Sequence, residues 1–217
     1  MTNDLLPVTI LATHTIANVS ETLAQRLELS PQHRSIGIIT ADSDDMTYCA
    51  LDEATKAAAV EVVYGKSLYA GAANASTALA GEVIGILAGP NPAEVSSGLR
   101  AAVSFMESGA GFRSANEDDS VIYFAHTVSR TGSDLSTTAG VKEGEALAYL
   151  IAPPLEAIVG LDEALKASDV ELVALFEPPS ETNFGGGLLT GTQSACKAAC
   201  DAFAEAVKAV AARPREV

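Results

Sequence analysis

Asp42, Asp44 and Asp45 crowd three carboxylates into the stretch ADSDD, residues 41–45. Ionised carboxylates only accept hydrogen bonds, so a cluster of them suits a small cation. Crowded acids also repel one another, and a bound cation relieves that cost. The same residues have a plain structural use. They sit where a β-rich stretch gives way to a helical one, and acids at a helix start cap free N–H groups and suit the dipole, for about 0.3–1 kcal/mol each. On the residues alone the cap is the favoured reading, with Asp42 or Ser43 best placed for it. A calcium loop is a poor fit, because Met46 and Thr47 fall where a ligand and a glycine belong. Glu117, Asp118 and Asp119 read as a solvated turn. His14, His33 and His126 lie too far apart to show metal-ligand spacing, so no metal site is expected. Cys196 and Cys200 share one helix face and read as core, although the first-turn position of Cys196 favours its thiolate. There is no nucleophile elbow, phosphate loop or dinucleotide fingerprint, and no catalytic residue or cofactor is expected.

The elements that must position these groups are organised by a repeat. Leu51–Val63, LDEATKAAAVEVV, returns as Leu161–Val173, LDEALKASDVELV, with nine of thirteen positions identical and no gap at a shift of 110. Two copies at so long a period mean a duplicated domain rather than a solenoid. Strands are predicted over 7–17, 34–41, 60–69 and 81–89 in the first copy, and over 120–128, 146–153 and 170–176 in the second. Helices are predicted over 20–29, from ADSDD onward through Leu51, Ala54, Ala57 and Ala58, after Pro92, over PLEAIVGLDEALKA, and after GLLTGTQ, with the tail ARPREV loose. Inward positions are Leu51, Ala54, Ala57 and Ala58; then Val95, Leu99, Val103 and Met106; then Cys196, Ala199, Cys200, Phe203, Val207 and Val210. Residues 71–81, 109–119 and 177–187 are predicted loops. The fold class is α/β, two α+β sandwiches in tandem, with domains over 1–112 and 113–217 and a boundary near Gly109-Ala110-Gly111.

Composition narrows the function further. The chain has 217 residues and a formal charge of −15, which argues against nucleic acid as a partner. It has three cysteines and no disulfide framework, so a reducing cytosol is expected. No basic leader or long apolar run points to secretion or a membrane. Alanine supplies much of the 48% hydrophobic content and Trp is absent, so the core is thin and close-packed. A mean hydropathy of +0.23 beside that charge fits either apolar surface buried against further copies of the chain or the weight of alanine on the scale.

Several long motifs carry a specific resemblance: ITADSDDMTY, LDEATKAAAVEVVYGKSLYAGA, AGEVIGILAGPNPAE, VSRTGS, AYLIAPPLEAIVGLDEALK, PPSETNF and LTGTQSACKAACDAFAEAV. Together they span nearly the whole chain. It resembles the shell proteins of ethanolamine-utilization bacterial microcompartments, the family with tandem, circularly permuted BMC domains. The resemblance implies a homotrimer shaped as a flat pseudohexamer, tiling with other shell proteins into the wall of an organelle in the cytoplasm. It implies a gated central pore and smaller pores within each subunit. It implies ethanolamine at the small pore, favouring the closed state, and no enzymatic activity. Matched residue by residue, the ethanolamine site is Asp44, Asp45, Glu82, Phe112, Thr182, Asn183 and Phe184. This reverses the preference for a simple cap at Asp44 and Asp45. Loops 71–81 and 109–119 become the candidate gates. Two rivals from other classes stand beside it: a soluble amine sensor of the same duplicated fold without a lattice, and an enzyme acting on an amine through the acid cluster.

Overall fold

The structure is a computed structural model, and it describes residues 3–68, 83–180 and 182–215. Every strand pairing among the described residues is antiparallel, in two sheets. The four-stranded sheet holds β2 (Ile10–Ile16), β3 (Ser35–Ala41), β4 (Glu61–Ser67) and β5 (Val83–Gly89) in the order β2-β3-β5-β4. The six-stranded sheet adds β1 (Leu5–Leu6), β6 (Phe112–Ser114), β7 (Ile122–Val128), β8 (Ala146–Ala152), β9 (Val170–Phe176) and β10 (Gly185–Gly191) in the order β1-β6-β7-β8-β10-β9. The last four strands of that order repeat the topology of the smaller sheet, so the duplication read from the helix motif extends through the strands.

The helices are α1 (Glu21–Arg26), α2 (Asp44–Ala57), α3 (Pro92–Met106), α4 (Ser133–Ala139), α5 (Pro154–Ala167) and α6 (Gln193–Ala212). They start where the sequence offers caps. Asn91 accepts from the N–H groups of Ala93 and Glu94 ahead of α3, and Thr192 accepts from Ala195 ahead of α6. α2 packs against α3 and α5 against α6.

Two compact units result. One comprises Val8–Gly109 with Gly132–Leu135. The other comprises the N-terminal residues to Pro7, Ala110–Thr131 and Ser136–Val217. β1 pairs with β6, which carries the first residues into the second unit, while a four-residue segment of the later half joins the first.

Each core is built from small residues and a few large ones. In the second unit Ala148, Leu150, Ala157, Leu161, Ala164, Ala199 and Phe203 are buried together. A side chain at Gly160 would lie 2.6 Å from the ring of Phe203, so the glycine makes room for the phenyl group between α5 and α6. Gly85 does the same for Leu51 in the first unit, with 2.6 Å from a would-be Cβ to Leu51 Cδ1. The expected inward positions are confirmed at Leu51, Ala54, Val95, Leu99, Met106, Phe203 and Val207. Val103 and Val210 are only half-buried. Ala57 is exposed because α2 ends there.

Three differences from the expected elements matter. Gly185–Gly187 is the start of strand β10, not loop: a Cβ on Gly186 would lie 1.8 Å from the carbonyl oxygen of Leu150, so only glycine lets β10 lie against β8. Segment 109–119 contains strand β6 and a hydrogen-bonded turn, in which Asn116 Nδ2 donates to Ser120 Oγ and Asp118 Oδ1 accepts from it. α4 forms over Ser133–Ala139, where its Ser- and Thr-rich composition gives no apolar periodicity.

Candidate functional site

Asp44 and Asp45 occupy the first turn of α2, in the first unit. Asp45 is almost fully buried and Asp44 half-buried. The Asp45 N–H donates to Asp44 Oδ1 at 2.9 Å, so one Asp44 oxygen is already engaged by its own helix. The expected cap is different in detail. Asp42 accepts from the N–H of Thr9 at 2.7 Å and ties the start of β2 to the end of β3, and Ser43 holds the N-cap position without a side-chain hydrogen bond. The two acids left after Asp42 is accounted for are those the resemblance assigns to the ligand. Glu82 and the candidate gate 71–81 lie outside the described residues.

Phe112, Thr182, Asn183 and Phe184 belong to the second unit. Thr182–Phe184 closes a tight turn. The Ser180 N–H donates to the carbonyl of Phe184 at 2.7 Å, and the Asn183 N–H donates to the carbonyl of Ser180 at 3.0 Å. Thr182 Oγ1 lies 3.2 Å from Ser180 Oγ. Asn183 takes φ +65°, a left-handed position that asparagine tolerates, and its side chain is exposed. The turn delivers Phe184 onto Phe112, with ring centroids 6.0 Å apart and planes at 30°. Sequence spacing gives no hint of that contact, since the two rings are 72 positions apart (184 − 112).

Phe112 also anchors a run of aromatic side chains. Its ring lies 5.4 Å from Phe124, Phe124 lies 5.5 Å edge-on to Tyr149, and Tyr149 lies 5.9 Å from Phe176. Phe124 and Tyr149 alternate with Tyr123, Ala148 and Leu150 along β7 and β8, so the run occupies the sheet face opposite α5 and α6. These rings hold Phe112, and through it Phe184, in place. Asp44 and Asp45 thus lie in the first unit, and Phe112, Thr182, Asn183 and Phe184 in the second.

Among the described residues no group of His, Cys, Asp and Glu is placed to hold a metal. Burial raises the thiols of Cys49 and Cys196 and pushes that of Cys200 up to about 11. The helix-start position expected to activate Cys196 is outweighed by desolvation, and all three thiols are core residues. His33 packs against Glu61, with Nδ1 3.3 Å from a carboxylate oxygen. No described helix is long and apolar enough to cross a membrane.

Asp52 is a residue whose importance the sequence conceals. It is fully buried on α2, and both of its oxygens accept backbone N–H groups, from Gly132 at 2.8 Å and Leu135 at 2.9 Å. Its one signal in the sequence is that Asp52 recurs in register as Asp162.

Comparison with known proteins places this architecture. Residues 35–116 match the family model "BMC domain". The chain is 68% identical over 214 residues to the bacterial microcompartment shell protein EutL of Clostridium perfringens, covering 99% of each. The chain belongs to the EutL family of bacterial microcompartment shell proteins. It is 56% identical to EutL of Salmonella typhimurium, over 97% of this chain and 96% of that one. The crystal structure of EutL from Leptotrichia buccalis superposes with a TM-score of 0.98 at 68% identity, over the full length of both chains. EutL relatives are shell proteins rather than enzymes, and this chain is read accordingly. They favour neither the amine sensor nor the enzyme. The tandem α/β fold is shared more widely: EtuB from Clostridium kluyveri superposes at a TM-score of 0.78 with 21% identity, over 94% of this chain and 90% of that one.

Proposed function

We propose that the protein is a trimeric tile of a microcompartment shell, three chains forming a flat pseudohexamer that packs with other shell proteins around ethanolamine-metabolising enzymes in the cytoplasm. The observation that carries this reading is the 68% identity to a EutL shell protein over 99% of both chains. The repeated strand order of the two sheets supports it, because two like units per chain give a threefold ring six similar segments. A central pore, gated by loop 71–81, would pass or exclude metabolites by size, backbone polarity and carboxylate charge.

Ethanolamine binds at a small pore and favours the closed state. Its ammonium is accepted by Asp44, Asp45 and Glu82. Thr182 and Asn183 take the hydroxyl and remaining N–H groups, and the Phe112–Phe184 pair supplies the apolar wall. Closure is then a population shift, set by how much more tightly the closed state holds the ligand. The acids and the aromatic turn lie in different units, so each half is tested by its own variant.

Two experiments test the proposal. Negative-stain images of the pure protein should show flat, hexagon-shaped particles or sheets; compact isolated particles at every concentration rule out the tile. In calorimetry, Asp45→Asn should weaken ethanolamine binding about tenfold or more, as loss of a charge-assisted hydrogen bond does. Phe184→Ala should weaken it less. An unchanged affinity for both removes the site and leaves the tile standing.

A further inference from the structure

Among the described residues, the duplicated helix is covered in one copy and bare in the other. Position by position, Asp45, Tyr48, Cys49, Asp52 and Thr55 of α2 correspond to Leu155, Ile158, Val159, Asp162 and Leu165 of α5. All five positions on α2 are buried or half-buried, whereas all five on α5 are exposed. The contrast is sharpest at the acid: the side chain of Asp52 is 1% exposed and that of Asp162 is 60% exposed. What lies on α2 is the segment Gly132–Leu135. Its N–H groups at Gly132 and Leu135 converge on the two oxygens of Asp52, and its Ser133 N–H donates to Thr55 Oγ1 at 3.1 Å.

That segment has a counterpart, and the counterpart is bare too. Four residues separate the end of β7 at Val128 from the start of α4 at Ser133, and four separate the end of β2 at Ile16 from the start of α1 at Glu21. Gly132 and Leu135 therefore correspond to Ser20 and Leu23. Leu135 is 3% exposed, whereas Leu23 is 40% exposed. The Leu23 N–H has a long 3.4 Å contact to Ser20 Oγ in place of the carboxylate that Leu135 enjoys. One chain thus carries a completed contact and, in the copy of each half, the same two surfaces exposed.

We infer that α5 of one copy docks on residues 20–23 of a second copy, with Asp162 accepting the Ser20 and Leu23 N–H groups and Leu155, Ile158 and Leu165 covering Leu23. The inference rests on the trimeric reading and names the surfaces that make it. The interface is heterologous, so three copies close a ring in which contacts within and between chains alternate. It is not an atom-for-atom repeat. A Cβ at Gly132 would lie 2.2 Å from Thr55 Oγ1, and Ser20 has such a Cβ. Leu165 replaces Thr55, so the second contact sits further from its helix and exchanges the hydroxyl interaction for an apolar one. Asp162 leaves its exposed ion pair with Lys166 to make it, at small cost, because exposed pairs contribute little.

The test combines native mass spectrometry across a dilution series with hydrogen exchange of the full chain. Asp162→Lys and Leu23→Asp should each raise the concentration at which the assembly dissociates by about tenfold or more, the loss expected on removing a partner from a desolvated hydrogen bond. Amides 20–23 should be protected in the assembled wild type and lose that protection in Asp162→Asn, which keeps the shape of the side chain, while β8 stays protected in every variant. If the wild type assembles but the variants dissociate at the same concentration, or amides 20–23 exchange freely in it, this interface is wrong and the tile reading survives. If the wild type is monomeric throughout, both are wrong.

Discussion

At the scale of single residues, near-identical types meet different surroundings. Asp52 and Asp162 hold the same place in a repeated motif, yet one is buried, accepting two backbone N–H groups beside Lys56 Nζ, and the other is at the surface. Asp134 shows the consequence of burial on charge. Desolvation, and then the Asp52 carboxylate, raise it to about 6 from an ordinary value of 3.8. The folded chain then holds this proton more tightly than the unfolded chain. The resulting stability is full below pH 4 and is lost as the pH rises through 6. Asp134→Asn should therefore be more stable than wild type above pH 6, on the order of 1–3 kcal/mol, with the advantage vanishing toward pH 4. Urea unfolding at a fixed protomer concentration measures it; a pH-independent difference contradicts the assignment. Asp44 and Asp45 illustrate what was hard to read. Sequence placed them at a helix start, where a cap suffices as explanation, and only the hydrogen bond of Asp42 to Thr9 shows that the nearby acids are not interchangeable.

At the scale of elements, small residues set how close the layers come. Alanine and glycine along α5 and α6 let the helices approach until Gly160 meets the ring of Phe203. Gly160→Ala gains helix propensity of about 1 kcal/mol but forces a methyl group into a fully buried ring, and overpacking costs typically 1–3 kcal/mol. The contact distance decides for the second effect, because Phe203 has no exposed end to yield. A lowered urea midpoint with unchanged slope is expected, and a raised midpoint would show that the helices can part. Strands legible from β-branched runs, such as 34–41 and 170–176, appear almost to the residue. β10 was not legible, because its first three residues are glycines and its reason for being a strand is the backbone of Leu150 across the ladder.

At the scale of the whole molecule, a formal charge of −15 per chain works against gathering copies into a sheet. Salt screens such repulsion over a distance of about 10 Å at 0.1 M. Raising salt from about 20 to 300 mM should therefore shift association toward larger assemblies, read by sedimentation, since the apolar contacts proposed at α5 and Leu23 are little affected by screening. Association that weakens steadily with salt would mean that exposed ion pairs dominate instead. The duplicated strand order would give the proposed ring of three chains six similar segments, and α5 is exposed at the positions where α2 is covered.

The amino-acid sequence alone determined the duplication, most of the strands and helices, and the family, because a thirteen-residue motif in register and several long motifs are local facts that need no folding to be seen. It also determined which residue types could meet an ammonium. Tertiary structure alone decided that Phe184 stacks on Phe112, that Gly185–Gly187 is a strand, and that Asp52 is buried while Asp162 is not. Those outcomes depend on contacts between residues tens of positions apart, where burial and backbone pairing, rather than residue type, set what each side chain does.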